Sequence, residues 1–369
     1  MIIYLIMIVY QVLYKKKYLI RIMRSNDYSS ILDPVPMDII ELVSSIRAAR
    51  VKEGFRKEAY RKEYDGIRTI AMLASVKYSN AIEDIISTDE RIGELVLRGG
   101  RPLTHSEEEI AGYGEALNLI HTDPDAVRMD DRSVKLLHRM IHAGKAEDRG
   151  RYKDRDNAIV GIDRDGRARV VMHTVPHEYV DVAMKELFDS YLIADSEGLE
   201  PLLLIPCVIL DYLCIHPFID GNGRTSRLLT YQLLYSHGYD ICRYISLDEH
   251  IAATRDRYYR ALNDSSKDWM DGKNDYFPFI RYFLQMLMEC YIDLDTRFAM
   301  KGSESMKKNE RIERILEESL APMSKRQMSM ALPDVSIHTI DAVIKRMMAE
   351  GKVEKIGANR NARYIMKRP

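Results

Sequence analysis

The sequence predicts a mainly α-helical protein. It should have a helical core carrying one short β-hairpin, followed by a small C-terminal domain of three helices and a second hairpin. Three observations predict this. Apolar residues recur at three- and four-residue spacing through most of the chain before residue 155. Two β-rich runs come next, on either side of the turn signal DRDG. The closing stretch reads as three amphipathic runs, then strand, basic turn, strand.

Taken in order, the spacing predicts helices over 38–57, 59–87, 106–120 and 131–143. SNDYSSILDPVP reads as a linker and HTDPDAVRMDDRS as a loop. That loop leads into VKLLHRMIHAG, which Gly144 is placed to end. Ala158 to Ile162 and Arg169 to Thr174 read as the paired strands. Pro176 opens the next helical run. An apolar helix follows from about Leu202 to Ile215, and another runs through RTSRLLTYQLLYSHG to near Gly238. Two more helices are expected near 248–262 and 276–298. AMKGSESMKKNE is a polar boundary, and ERIERILEESL, SKRQMSMAL and IHTIDAVIKRMMAEG are the three closing helices. The expected domains are an N-terminal segment or linker (1–36), a helical region (37–105), a core (106–298) and a winged helix-turn-helix (305–369).

Composition narrows the class. The chain has 369 residues, 46% hydrophobic and 30% charged, with a net charge of -1, so no global field draws it to nucleic acid. The exception is local: Ser305 to Pro369 holds 14 Lys and Arg against 8 Asp and Glu. Cys207, Cys214, Cys242 and Cys290 lie in apolar surroundings without CxxC spacing, which reads as free thiols in a reducing, cytoplasmic setting. MIIYLIMIVYQVLY is short for a bilayer span, and its basic flank follows rather than precedes it, unlike a secretory signal. Two expectations stand for it: a start that really lies at Met23 or Met37, or a short membrane-associating segment. The Met-rich runs read as core, and His138 and His142 lack an HExxH frame for zinc.

HPFIDGNGRTSR, residues 216–227, concentrates the chemistry. Pro217 disfavours helix at His216, leaving the imidazole at a helix end. The glycines Gly221 and Gly223 sit at the start of the next helix, where free backbone amides make an anion site. Arg224 and Arg227 fall in its first turn, three residues apart and on one side. Cations there are disfavoured by a few tenths of a kcal/mol each, a cost that a polyphosphate would reverse. Asp220 adds a hard oxygen ligand of the kind a phosphate-bound Mg²⁺ requires. His216, uncharged at neutral pH, could take a proton from an attacking hydroxyl. The plain alternative is a helix–turn–helix corner with surface arginines. Of the aromatic residues, Tyr259 is open to stacking on a base, while Trp269 reads as core.

The stretch resembles the Fic-domain signature HxFx(D/E)GNGRxxR and matches it at every fixed position. GRYKDRDNAIVGI, the hairpin and VPHEYVDVAMKEL resemble the family's lead-in and target-docking flap, and RDRYYRAL its later helix. The resemblance covers roughly 60–295. It implies an all-helical fold around a short hairpin, and transfer of AMP from ATP to a Ser, Thr or Tyr hydroxyl of a protein or of the chain itself. It implies His216 as general base and Asp220 as Mg²⁺ ligand. Gly221, Asn222 and Gly223 would sit on the α- and β-phosphates, Arg224 on phosphate too, and Arg227 on the γ-phosphate. The flap backbone would pair with the target as an added strand.

Upstream, SVKYSNAIEDI places Ser79 and Glu83 at i and i+4 of a helix, and resembles the family's inhibitory motif (S/T)xxxE(G/N). The implied brake is Glu83 on Arg227, occupying the guanidinium fork that the γ-phosphate needs. Asp84 departs from the pattern, standing where Gly or Asn is usual. A second function stays open: a nucleotide-sensing DNA-binding regulator that uses the C-terminal domain. IHTIDAVIKRMMAEG, with Lys345 and Arg346, would be its recognition helix, and GANRNAR, with Arg360 and Arg363, its wing. Protein contact through that domain and a homodimer are further open partners.

Overall fold

The computed structural model describes residues 27–142, 149–162, 168–301, 308–319, 322–332, 335–357 and 362–367. The N-terminal apolar run, Met23, Gly144, the DRDG turn, half of the polar boundary and Arg360 lie outside the described residues.

Fifteen α-helices and two antiparallel two-stranded sheets are described. Their order begins α1 (Tyr28–Ile31), α2 (Met37–Ala59), α3 (Arg61–Ile82), α4 (Asp89–Leu97), α5 (His105–Thr122) and α6 (Asp131–Ile141). The hairpin β1 (Ala158–Ile162) and β2 (Ala168–His173) follows. Then come α7 (Val180–Ser196), α8 (Pro201–Ile215), α9 (Asn222–Ser236), α10 (Leu247–Ala253), α11 (Arg255–Ser266) and α12 (Phe277–Lys301). The chain closes with α13 (Lys308–Glu318), α14 (Lys325–Ala331), α15 (Ile337–Ala349), β3 (Val353–Ile356) and β4 (Arg363–Met366).

The chain groups into two compact units. Among the described residues, one holds those up to Val43 with those from Asp65 to Met286; the other holds Ser44–Tyr64 and those from Leu287 onward. Ser79 and Glu83 fall in the same unit as residues 216–227.

In the first unit α8 is apolar all round, and nearly every residue of it is buried. It packs between α7 and α9, while α5 packs on α4, α6 and α9. Side-chain caps start many of these helices: Thr88 for α4, Thr104 for α5, Asp130 for α6 and Ser246 for α10. The hairpin pairs Ala158 with His173 and Ile162 with Ala168, with a bulge between Ile159 and Val160.

Four expectations change. The linker at 25–36 contains α1, because Tyr28 is buried and its hydroxyl donates to Asp211 at 2.7 Å. That carboxylate also accepts from Trp269 Nε1 (2.6 Å) and Tyr276 Oη (2.8 Å), which makes Trp269 a core residue. Helix α4 lies between the helices that the spacing predicts at 59–87 and 106–120. Helix α6 ends at Ile141, before Gly144. The helix expected at 248–262 is broken at Thr254, whose hydroxyl donates to His250 O and gives α10 and α11.

In the second unit α15 packs on α13 and α14, and β3 pairs with β4 from Val353–Met366 to Ile356–Arg363. A capping box at Ser324 and Gln327 opens α14. The cations expected to face a nucleic acid are in ion pairs: Lys345 with Asp341 (2.8 Å), Arg346 with Glu313, and Arg363 with Glu289 (3.0 Å).

Candidate active site

The loop between α8 and α9 is built by its own side chains. His216 leaves α8 in the left-handed region, with φ 53°. Asn222 Oδ1 then accepts from Phe218 N at 3.0 Å and its Nδ2 donates to Phe218 O at 2.8 Å. This reciprocal pair closes the loop, so the Asn222 side chain is spent on shape. Gly221 caps α9 at φ 77°, a conformation that favours glycine. The ladder of α9 starts with Thr225 N on Gly221 O (3.0 Å), so the amides before it precede the helix's own bonding.

His216 Nδ1 lies 3.2 Å from Leu213 O. A carbonyl only accepts, so Nδ1 carries the hydrogen and Nε2 remains the basic nitrogen. Burial, and next the Lys153 charge, hold this imidazole down at about 4, so it is neutral at physiological pH.

The two arginines part company. Arg227 donates through Nε to Ser79 Oγ (2.7 Å), and through Nη2 to Ser79 O (2.8 Å) and Glu83 Oε1 (2.9 Å). On its other side Asp248 lies 3.5 Å from Nε and accepts from Tyr231 Oη at 2.7 Å. Burial raises this second carboxylate to about 6, against the pull of Arg227. Arg224 turns the other way. It is 1% exposed, with Nη1 on Glu109 Oε2 (2.9 Å) and 3.5 Å from Ile141 O. The expectation that both arginines project from one side is therefore corrected. One helical position beside α5 and α6 draws Arg224 into the core, while the position facing α3 leaves Arg227 at the cavity.

Glu83 reaches the cavity from one residue past the end of α3, through a turn in which Glu83 N bonds Asn80 O (3.0 Å). Asp84 follows at φ 60°, and its carboxylate meets Arg255 Nη1 at 3.1 Å. Gly223 is the reason the carboxylate fits. A Cβ there would stand 2.2 Å from Glu83 Oε1.

The cavity itself is about 250 Å³. Glu83, Gly223, Arg227 and His216 line its polar end, and Leu210, Leu213, Leu262 and Tyr259 are among its apolar walls. Ile159 and Met172 reach it from the hairpin. Asp220 is exposed at the loop's rim. It shares a neighbourhood with Glu109 and His142, whose donor atoms and its own lie within 4.8 Å of one another. His142 Nδ1 is buried there without a hydrogen-bond partner. The carboxylate oxygens of Glu109 and Asp220 are the hard donors that suit a cation such as Mg²⁺, whereas the imidazole nitrogen is a donor for softer metals.

Besides Glu109, the partner of Arg224, sequence reasoning missed three residues. His138 stacks on Phe218 with ring centroids 3.7 Å apart. Its Nδ1 accepts from Gly150 N (3.0 Å), so Nε2 donates to Asp220 O (3.1 Å), and the ring holds the loop as a neutral tautomer. Lys153 and Asp248 are the others. The motif singled out its own residues; these three supports come from other parts of the chain and carry no local pattern.

Residues 128–234 match the Fic/DOC family. A protein adenylyltransferase Fic of Nematostella vectensis is 29% identical over 224 residues, covering 58% of this chain and 46% of that protein. A Fido domain-containing protein of Dictyostelium discoideum is 46% identical over 59 residues, or 15% of this chain and 41% of that one. The chain thus spans less than half the length of either curated relative. The solved structure of a Fic family protein from Desulfovibrio desulfuricans G20 shares the fold, with a TM-score of 0.58 at 20% identity over 90% of this chain and 97% of that one. A loop of this geometry, in a helical fold of this kind and on a stretch of sequence that matches the family, makes residues 128–234 a Fic domain.

Proposed function

We propose that the chain is an auto-inhibited protein adenylyltransferase, moving AMP from ATP to a Ser, Thr or Tyr hydroxyl of a protein or of itself. The observation that carries this reading is the Glu83–Arg227 pair at 2.9 Å, set across the mouth of the loop from a neutral His216.

In this reading the acceptor hydroxyl attacks the α-phosphorus of ATP. Its proton passes to His216 Nε2, the new O–P bond forms, the bond to the bridging oxygen breaks, and pyrophosphate leaves. The amides that open α9 and Gly223 receive the phosphates, and Arg227 takes the terminal one. Arg224 acts through Glu109, fixing the first turn of α9. Asp220 is the residue to hold Mg²⁺, which would neutralise phosphate charge when bound. Tyr259, 39% exposed at the cavity, offers a face to the nucleobase. Ser79 and Glu83 together engage Nε and Nη2 of Arg227, the edge of the guanidinium that a γ-phosphate would have to win.

Glu83→Gly is expected to raise AMP incorporation from labelled ATP by about tenfold or more, the scale of a coupling between two sites. Mass spectrometry of the protein after incubation with Mg²⁺ and each nucleotide would identify donor and acceptor. Equal incorporation by both forms would sink the brake, and no incorporation by either would sink the transfer reading.

A further inference from the structure

Lys153 is the buried cation the reaction above leaves unused. It is 4% exposed, and its amine donates to Asn157 Oδ1 (2.8 Å), Thr174 Oγ1 (2.8 Å) and Ile215 O (3.4 Å). All three acceptors are neutral oxygens. Asn157 precedes β1, Thr174 follows β2, and Ile215 is the last residue of α8, next to His216. The backbone repeats the connection. Lys153 N donates to Pro217 O (2.8 Å), Asn157 Nδ2 to Phe218 O (3.0 Å), and Thr174 Oγ1 reaches Asn157 O (3.0 Å).

A purely structural filler would not need a charge here. Taking an ammonium out of water without a carboxylate partner is costly, and an apolar side chain would fill the space without that cost. Burial pulls the amine down to about 7, with Asp156 opposing. What the amine does hold together is one junction: both feet of the hairpin and the helix end that carries the imidazole.

We infer that Lys153 is a positioning residue for group transfer: its single amine locks the base of the hairpin to the last turn of α8, and so sets where a hydroxyl presented on the hairpin meets His216. The inference rests on the transfer reading above. It also gives the charge a second effect, because a cation beside the imidazole disfavours its protonation. Glu83 and Asp220 act on the same ring in the opposite sense.

The test uses the full chain carrying Glu83→Gly. Adding Lys153→Met is expected to lower kcat about 10- to 100-fold, the scale of lost orientation, while calorimetry finds the affinity for Mg·ATP within about twofold. Amide exchange over Ala158–Ile162 should speed up. The His216 titration, read by NMR, should move to higher pH, and the acid limb of the rate profile should follow it. Lys153→Arg, which keeps the charge, should leave the titration in place and recover part of kcat. Thr174→Val, which removes one acceptor and keeps the cation, should speed exchange and lower kcat without moving the titration; it serves if Lys153→Met does not fold. Unchanged exchange and titration in Lys153→Met, or unchanged exchange and kcat in Thr174→Val, would overturn the proposal. Exchange and titration need no turnover. If Glu83→Gly transfers no nucleotide, the functional reading falls while Lys153 is still judged on those two readouts.

Discussion

At the scale of single residues, the tautomers of two histidines follow from what they touch. Leu213 O fixes the hydrogen of His216 on Nδ1, and Gly150 N with Asp220 O fixes that of His138 on Nε2. The first choice leaves a basic nitrogen exposed to the cavity; the second makes the ring a strut. The pH dependence follows from the sign of the His216 shift. Its working form is the deprotonated one, and it titrates at about 4 rather than at the ordinary histidine value. Nucleotide transfer by Glu83→Gly should therefore stay level from about pH 5.5 to 7 and fall only as the medium approaches pH 4. An acid limb near pH 6.5, measured at saturating ATP, would show that His216 is not the base or is not desolvated.

At the scale of elements, the end of α3 decides where Glu83 goes. Asp84 takes the left-handed conformation at φ 60°, which Asn and Asp tolerate better than other non-glycine residues. That accounts for a departure the sequence left unexplained: Asp substitutes for Gly or Asn in the turn and adds an ion pair to Arg255. Asp84→Asn should keep thermal stability within about 0.5 kcal/mol, since an exposed pair contributes little. Asp84→Val should lose about 1–2 kcal/mol by strain and raise basal incorporation, because the turn that aims Glu83 loosens. Stability by denaturant melts and incorporation by labelled ATP check both; a silent Asp84→Val would mean that the turn does not aim the carboxylate. The hairpin and most longer helices were legible because period and turn chemistry are local. Helix α4 carries a readable start, Thr88 before Asp89 and Glu90, but at nine residues it is too short for its apolar spacing to stand out. The divergence of Arg224 from Arg227 was not legible, because Glu109 lies 115 positions away from the first and Ser79 148 from the second.

At the scale of the whole molecule, buried neutral imidazoles make the fold sensitive to acid. Burial pushes His121 and His138 to about 3 and His216 to about 4. Each is lowered from the unfolded value, so below about pH 6.5 the unfolded chain binds more protons, and folded stability falls with pH until the folded values are reached. Each contributes a slope of up to about 1.4 kcal/mol per pH unit in that window. The melting temperature should drop steadily from pH 6.5 to 4, and His138→Phe should flatten part of the drop. A melting temperature constant across that range would contradict the burial of these rings. One last consequence belongs to Gly223, where a missing side chain leaves room for Glu83. If the proposed reading holds, lock and cargo share that single opening. A bulkier residue would evict the lock only by narrowing the doorway for cargo as well. Freedom must then come from swinging the bolt aside, which puts the release mechanism in the motion of α3 and outside the reach of any change to the loop.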